Sequence, residues 1–288
     1  MRTTSADPTS TLRSGRSFRR ISPADTGIAS EFSRLDEIGM LYRLWRSQLD
    51  HCQSPTDPGM VYLASHFRMR LTLERHLRVI DLLVPHVYGK VLEWGCRHGL
   101  DSCVYRMRLR DAVELHGCDV CDADDYRPFH DFSGMRYRRL NHPYQLEYED
   151  NAFDVVTSNG VLEHVPDDDR SIGEVHRVLR PGGAFLITCL PNAFSYTEAL
   201  QRWRSGAAHD RLYTLGQTRA MLRDHGFNVS EMRRLFMVPT MLNGLPEIAK
   251  FAYQKASRLV WVANDLLERT WPLNRFASNL MIVAHKRS

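Results

Sequence analysis

Residues 91–99 read Val91-Leu-Glu-Trp-Gly-Cys-Arg-His-Gly99, and a helical stretch from Asp101 to Arg110 follows. An apolar strand therefore runs through a glycine-bearing turn into a helix. Gly95 and Gly99 allow the backbone to approach a ligand closely, and the first N–H groups of the helix point outward unpaired. Glu93, on the last turn of the strand, suits a cationic amino group better than a pyrophosphate. No Gly-Lys-Ser/Thr follows, which excludes a Walker loop.

Outward from this unit the same rhythm repeats. Val113 to Cys118 is a second strand, and Phe153-Asp-Val-Val-Thr a third. Asp168 to Leu179 is a helix, Ala184 to Cys189 a strand, Thr214 to His225 a helix, and Val229 to Leu235 a strand. Asn279 to Ala284 closes the chain as a strong terminal strand. Strands alternating with helices predict a mainly parallel α/β sheet covered on both faces. Ligands of such sheets bind at the carboxyl ends of the strands. Asp119, ending the second strand, is placed to accept hydrogen bonds from both hydroxyls of a ribose, with Asp122 and Asp124 close behind as alternatives. A dinucleotide dehydrogenase would use the same acid, but the glycines do not give G-x-G-x-x-G.

The most specific stretch is Asp150-Asn-Ala-Phe-Asp-Val-Val-Thr-Ser-Asn-Gly-Val-Leu-Glu-His-Val165, followed by Glu174-Val-His-Arg-Val-Leu-Arg-Pro-Gly-Gly183. With the strand–glycine turn and the acid at Asp119, it resembles the class I S-adenosylmethionine-dependent methyltransferases of the UbiE/UbiG-like, type 11 group. The shared motifs span residues 89–235. The resemblance implies a Rossmann-like fold with a seven-stranded, mainly parallel sheet, an antiparallel C-terminal strand and helical cap segments. It also implies S-adenosylmethionine as cofactor, with Glu93, Trp94, Gly95, Cys96 and Gly99 around its methionine part. Asp119 and Val120 would meet the ribose, Asn141 and His142 the adenine, and Ser158 and Asn159 the methionine again. Two departures stand out. Arg97 replaces the family's middle glycine, which is costly if the position needs φ > 0. An acid is usual where Asn141 and His142 stand.

For methyl transfer the protein must position an acceptor and, for an alcohol, take its proton. His164 is the candidate base, because it follows the strand at the sheet's carboxyl edge; its other reading is a histidine that caps or packs the helix it sits on. His130, His209, Asp210 and Tyr213 are expected in loops over the pocket. No metal site is expected: Cys118 and Cys121 form C-x-x-C without the second pair that a zinc ribbon needs.

The flanks read differently. Residues 1–33 are expected to be a disordered polar tail, with a transit peptide as the alternative. Helical spacing predicts a cap over residues 34–88, in one helix from Leu35 and another carrying Leu63, Phe67, Leu71, Leu73, Leu77, Ile80 and Leu83 to Pro85. The binding core is expected over 89–239, a second helical cap over 240–274 and the terminal strand over 275–288. In the second cap Ile248, Phe251, Ala252, Leu259, Val262, Ala263 and Leu266 form one apolar stripe. It reads as a helix packed on the core, with a lid or a membrane-surface helix over 246–268 as the alternative. Tyr42, Trp45, Tyr62, Phe67, Phe251, Trp261 and Trp271 are candidates to line an acceptor pocket, although aromatics at this spacing also make ordinary core.

A net charge of +4, spread along the 288 residues, argues against nucleic acid as a partner. Six cysteines, mostly in apolar runs, suggest reduced thiols and a cytoplasmic protein. No apolar stretch reaches the roughly 18 residues of a membrane span. The expected activity is O-methylation of a small molecule or a glycan- or lipid-linked intermediate. The alternatives are N- or C-methylation, or a degenerate domain that binds a partner.

Overall fold

The computed structural model describes residues 33–52, 56–142, 144–205, 209–240, 242 and 245–288. The expected N-terminal tail, Ser33 apart, lies outside the described residues. The elements are α1 (Arg34–His51), α2 (Pro58–Phe67), α3 (Arg70–Leu83), β1 (Gly89–Trp94), α4 (Leu100–Leu109), β2 (Val113–Asp119), α5 (Arg127–Ser133) and β3 (Arg136–Arg139). They continue with β4 (Phe153–Asn159), α6 (Asp168–Val178), β5 (Leu179–Pro191), α7 (Tyr196–Ser205), α8 (Leu215–Asp224), β6 (Phe227–Leu235), α9 (Glu247–Lys255), α10 (Ser257–Arg269) and β7 (Asn279–Lys286).

The strands form one seven-stranded sheet in the order β3-β2-β1-β4-β5-β7-β6. β7 is antiparallel to both of its neighbours, and the remaining pairings are parallel. Successive side chains of a strand point to opposite faces, and here both faces are covered. Val91, Leu115, Val155, Leu186 and Val283 pack with the helices α1–α4 and α10. Leu92, Val156, Ile187 and Ile282 pack with Ile172 and Val175 of α6 and Leu222 of α8. The helical segments before and after the motifs therefore share one apolar layer, and that layer holds α2 and α3 over the carboxyl edge of β1.

Several expectations need correcting. The run from Leu63 to Leu83 is two helices, because Met69 is extended (φ −132°, ψ 129°) and caps α3. Pro58 and Gly59 open α2: the Asp57 carboxylate accepts from the N–H groups of Gly59 (2.7 Å) and Met60 (3.3 Å), and proline suits a first turn. His130 lies in α5 and is buried, not in a loop. The stripe over 246–268 is broken at Ala256 into α9 and α10, and its apolar side faces outward: Ile248 is 80% exposed and Leu259 73%. The inward face of α10 is instead Val260, Trp261 and Asn264. Trp261 Nε1 donates to Glu74 Oε2 (2.8 Å), the Arg78 guanidinium lies 4.3 Å over its ring, and Asn264 Oδ1 accepts from Met237 N (2.9 Å). Directed polar and cation–π contacts hold this helix down more than its apolar stripe does.

Candidate active site

The β1–α4 turn is built by two tight positions. Gly95 and Gly99 both have φ +68°, and a Cβ on Gly95 would sit 2.5 Å from Val161 Cγ2. Gly95 N and Cys96 N donate to Cys118 O (2.8 and 3.2 Å), which ties the turn to the end of β2. Arg97 has φ +41°, so the strain expected of a side chain at that position is present. Its backbone N–H donates to Asp119 Oδ2 (2.8 Å), while Val120 N donates to Oδ1 (2.6 Å). An ionised carboxylate offers about four acceptor sites, so this carboxylate is oriented by two backbone donors and can still accept from a ribose. The Arg97 side chain bonds to Tyr126 and reaches the Tyr62 ring, 6.0 Å from its centroid.

The other expected cofactor residues are placed as follows. Trp94 and Cys96 are buried in the core, so only their backbone reaches the edge. Val120 is 64% exposed. Asn141 and His142 are exposed just past β3. Leu140 N donates to Asp119 O (2.7 Å), and Asn141 Nδ2 donates to Glu147 Oε1 (3.0 Å). Glu147 thus brings an acid beside the position where the sequence itself shows none. Ser158 is buried, and its Oγ has no hydrogen-bond partner.

Glu93 is buried, and its Oε2 accepts from Ser102 N (2.9 Å) and Ser102 Oγ. Burial and neighbouring Asp101 push its carboxyl well above the usual range. It clamps the start of α4 to β1. Asp101, which the sequence did not single out, is the more central acid. Asn159 Nδ2 donates to its Oδ2 (3.1 Å), and His76 Nε2 lies 2.8 Å from its Oδ1, outside hydrogen-bond geometry. His66 and His98 pack nearby with ring centroids 5.8 Å apart. Burial drives His66 down to about 4 and His98 well below its usual value, so both are neutral.

Past the carboxyl ends of β4 and β5, Tyr62 of α2 stands half exposed with Cys189, Arg75, Glu163 and Arg97 as its charged or titratable neighbours. Cys189, with φ +54°, sits where the β5–β7 register shifts, and Arg75 reaches past it to Asn279 Oδ1 (2.7 Å). Among the candidate aromatics, Tyr62 is the one placed near Glu163 and Cys189. Trp45 stacks on Phe67 (5.1 Å), Tyr42 Oη donates to Phe67 O, and Trp261 is buried; Phe251 and Trp271 are exposed on the surface.

The loop after β4 carries Glu163 and His164. The side chain of His164 is 65% exposed, and its Nε2 lies 4.0 Å from Glu163 Oε1. Glu163 is the buried member: its Oε2 has no partner, its Oε1 approaches Gly160, and burial raises it to about 7. His209 stacks obliquely on His164 (5.6 Å) and pairs through Nδ1 with Glu198 Oε1 (2.8 Å), which raises its pKa. Ligand atoms of Glu163, His164 and His209 lie within 4.8 Å of one another, a spacing that would also suit a cation. Asp210 is exposed beside them. Tyr213 is structural, because its hydroxyl bonds to Leu162 O (3.0 Å) and Asp168 Oδ2 (2.8 Å). His130 bonds to Arg97 O (2.9 Å) and so supports the turn. Cys118 is buried, and Cys121 Sγ meets Tyr137 Oη (3.2 Å); neither joins a candidate metal group among the described residues.

Residues 63–232 match the family described as "Methyltransferase domain". The chain belongs to the class I S-adenosylmethionine-dependent methyltransferases. Among relatives, it is 34% identical over 110 residues to a ubiquinone biosynthesis O-methyltransferase of Paramagnetospirillum magneticum, covering 35% of this chain and 44% of that one. It is 28% identical over 186 residues to a probable S-adenosylmethionine-dependent methyltransferase of Mycolicibacterium smegmatis, covering 63% and 66%. The fold matches a solved methyltransferase of Thermotoga maritima, a possible histamine N-methyltransferase, with TM-score 0.54 and 15% identity over 78% of this chain and 94% of that one. The chain spans roughly half to two thirds of the length of these two curated relatives. As a class I methyltransferase it shows three features that fit the cofactor: a turn closed to any Cβ at Gly95, a carboxylate oriented at the end of β2, and an unpartnered buried hydroxyl at Ser158.

Proposed function

We propose that this chain transfers a methyl group from S-adenosylmethionine to a hydroxyl oxygen of a small molecule or of a glycan- or lipid-linked intermediate bound beside Tyr62. The cofactor's sulfonium supplies the electrophilic methyl; the chain binds, orients and deprotonates. The Gly95–Gly99 turn and Ser158 would take the methionine part, Asp119 and Val120 the ribose, and the segment at Asn141 and His142 the adenine. Glu93 would act by fixing the turn, and Asp101 with Asn159 would offer the charge for the amino group.

The observation that carries the oxygen assignment is Glu163. A buried carboxyl with an open oxygen and a pKa near 7 is matched to taking a proton from an acceptor hydroxyl. We assign the base to Glu163, with His209 and Glu198 behind it to pass the proton to solvent. Exposed His164 lies at the rim. The domain division proposed is a helical cap over 34–88, a binding core over 89–239, a second helical segment over 240–274 and a closing strand over 275–288.

The test supplies methyl-labelled cofactor with paired acceptors that differ only in a phenolic hydroxyl or an amine, and follows label in each. Transfer to the hydroxyl, reduced on the order of 10²-fold by Glu163→Gln, is the expected result. Transfer to the amine alone would replace this reading with N-methylation.

A further inference from the structure

Large apolar side chains stand exposed on two connections, the second of them at two places. After β5 these are Phe194 (46%), Leu200 (47%) and Trp203 (82%); after β6, Ile248 (80%), Phe251 (60%), Leu259 (73%), Val262 (56%) and Leu266 (63%); before β7, Trp271 (76%) and Phe276 (48%). β5 and β6 end, and β7 begins, at the same edge of the sheet, the edge at which β1 and β4 also end. The apolar side of this helix pair stays exposed among the described residues, and an apolar surface of this extent marks an interaction site.

The charges select the occupant. Protein interfaces exclude charge from their apolar centre. Here cations are set against the exposed rings: Lys255 Nζ lies 5.4 Å from the Phe251 centroid and Arg275 lies 5.3 Å from that of Phe194. Arg202, Arg204, Arg258 and Arg269 are exposed on the same segments. A cleft of about 350 Å³ between α3 and the α9–α10 junction adds Arg70 to Lys255 and Arg258, with Glu74 as its one acid. Tryptophan and large aliphatics flanked by lysine and arginine are the composition of a helix lying in a bilayer interface.

We propose that α9, α10 and the 271–276 turn dock this protein on an anionic bilayer, with the apolar side chains in the acyl boundary and the cations at headgroup phosphate. The edge at which β5 and β6 end then faces the membrane. The proposal stands whether or not the acceptor is a lipid.

The full chain is sedimented with vesicles of phosphatidylcholine alone and of phosphatidylcholine with about a third phosphatidylglycerol. The same is done for the triple variant Ile248→Ser, Leu259→Ser, Trp271→Ala. These side chains are exposed, so the variant should keep its far-UV circular dichroism and its melting temperature. The expected result is binding to anionic vesicles, at least tenfold weaker on neutral ones and at least tenfold weaker for the variant. Wild-type protein left in the supernatant with both vesicles, or a variant that binds as well as wild type, overturns the proposal. So does a wild-type dimer without vesicles that the variant dissociates, since the occupant is then a second copy of the chain.

Discussion

At Arg97 the chain holds an arginine in a left-handed conformation and keeps the function of the turn. What the site takes from this residue is its backbone N–H on Asp119, and any residue type but proline supplies that. Arg97→Gly should therefore leave cofactor affinity within about threefold by calorimetry, although relief of the strain is on the order of 1 kcal/mol; a tenfold loss would show that the guanidinium itself contacts the ligand. Glu163 carries a second prediction. Its folded pKa near 7 exceeds the ordinary 4.5, so ionisation opposes folding. The stability it leaves intact below about pH 4.5 is lost as pH rises through 7, by on the order of 3 kcal/mol. Glu163→Gln should flatten the fall in melting temperature between pH 5 and pH 8; parallel curves for the two proteins would place Glu163 in a wetter site. The sequence pointed to His164 rather than Glu163, because nothing in Leu162-Glu-His-Val tells which of two adjacent polar residues turns inward.

Among the elements, those legible in advance are the ones whose own residues decide them. β5 and β7 carry the apolar runs Ala184–Ile187 and Leu280–Ala284, and β1 and β4 the pairs Val91-Leu92 and Val155-Val156, because helices cover both faces, and α6 and α8 begin at side-chain caps on Asp167 and Thr214. β3 escaped notice since Arg136-Tyr-Arg-Arg139 is a short edge strand with no apolar run. The stripe on α9 and α10 was read correctly as a stripe, but periodicity fixes only which residues share a face, not what that face meets. α2 carries Tyr62 and His66 and depends on its Asp57 cap. Asp57→Ala should lower stability by about 1 kcal/mol and speed amide exchange in α2 before the strands. Uniform exchange throughout would deny α2 its dependence on that cap.

For the molecule as a whole, one apolar layer joins α1–α3 and α10 to the sheet, so the caps and the binding core should unfold together. Thermal unfolding is expected as one transition that shifts upward with S-adenosylhomocysteine, by about 2.7 kcal/mol at a hundred times its dissociation constant. An early transition confined to the helical segments would separate them from the core. This unity was not legible in the sequence, where the flanking helices read as separate caps.

The most direct measurement is calorimetric binding of S-adenosylmethionine and S-adenosylhomocysteine to the wild type and to Asp119→Ala. The account predicts binding in the micromolar range, near −8 kcal/mol, lost or sharply weakened in the variant, since the proposed ribose acceptor is the carboxylate oriented by the N–H groups of Arg97 and Val120. A folded wild type that binds neither compound would contradict it.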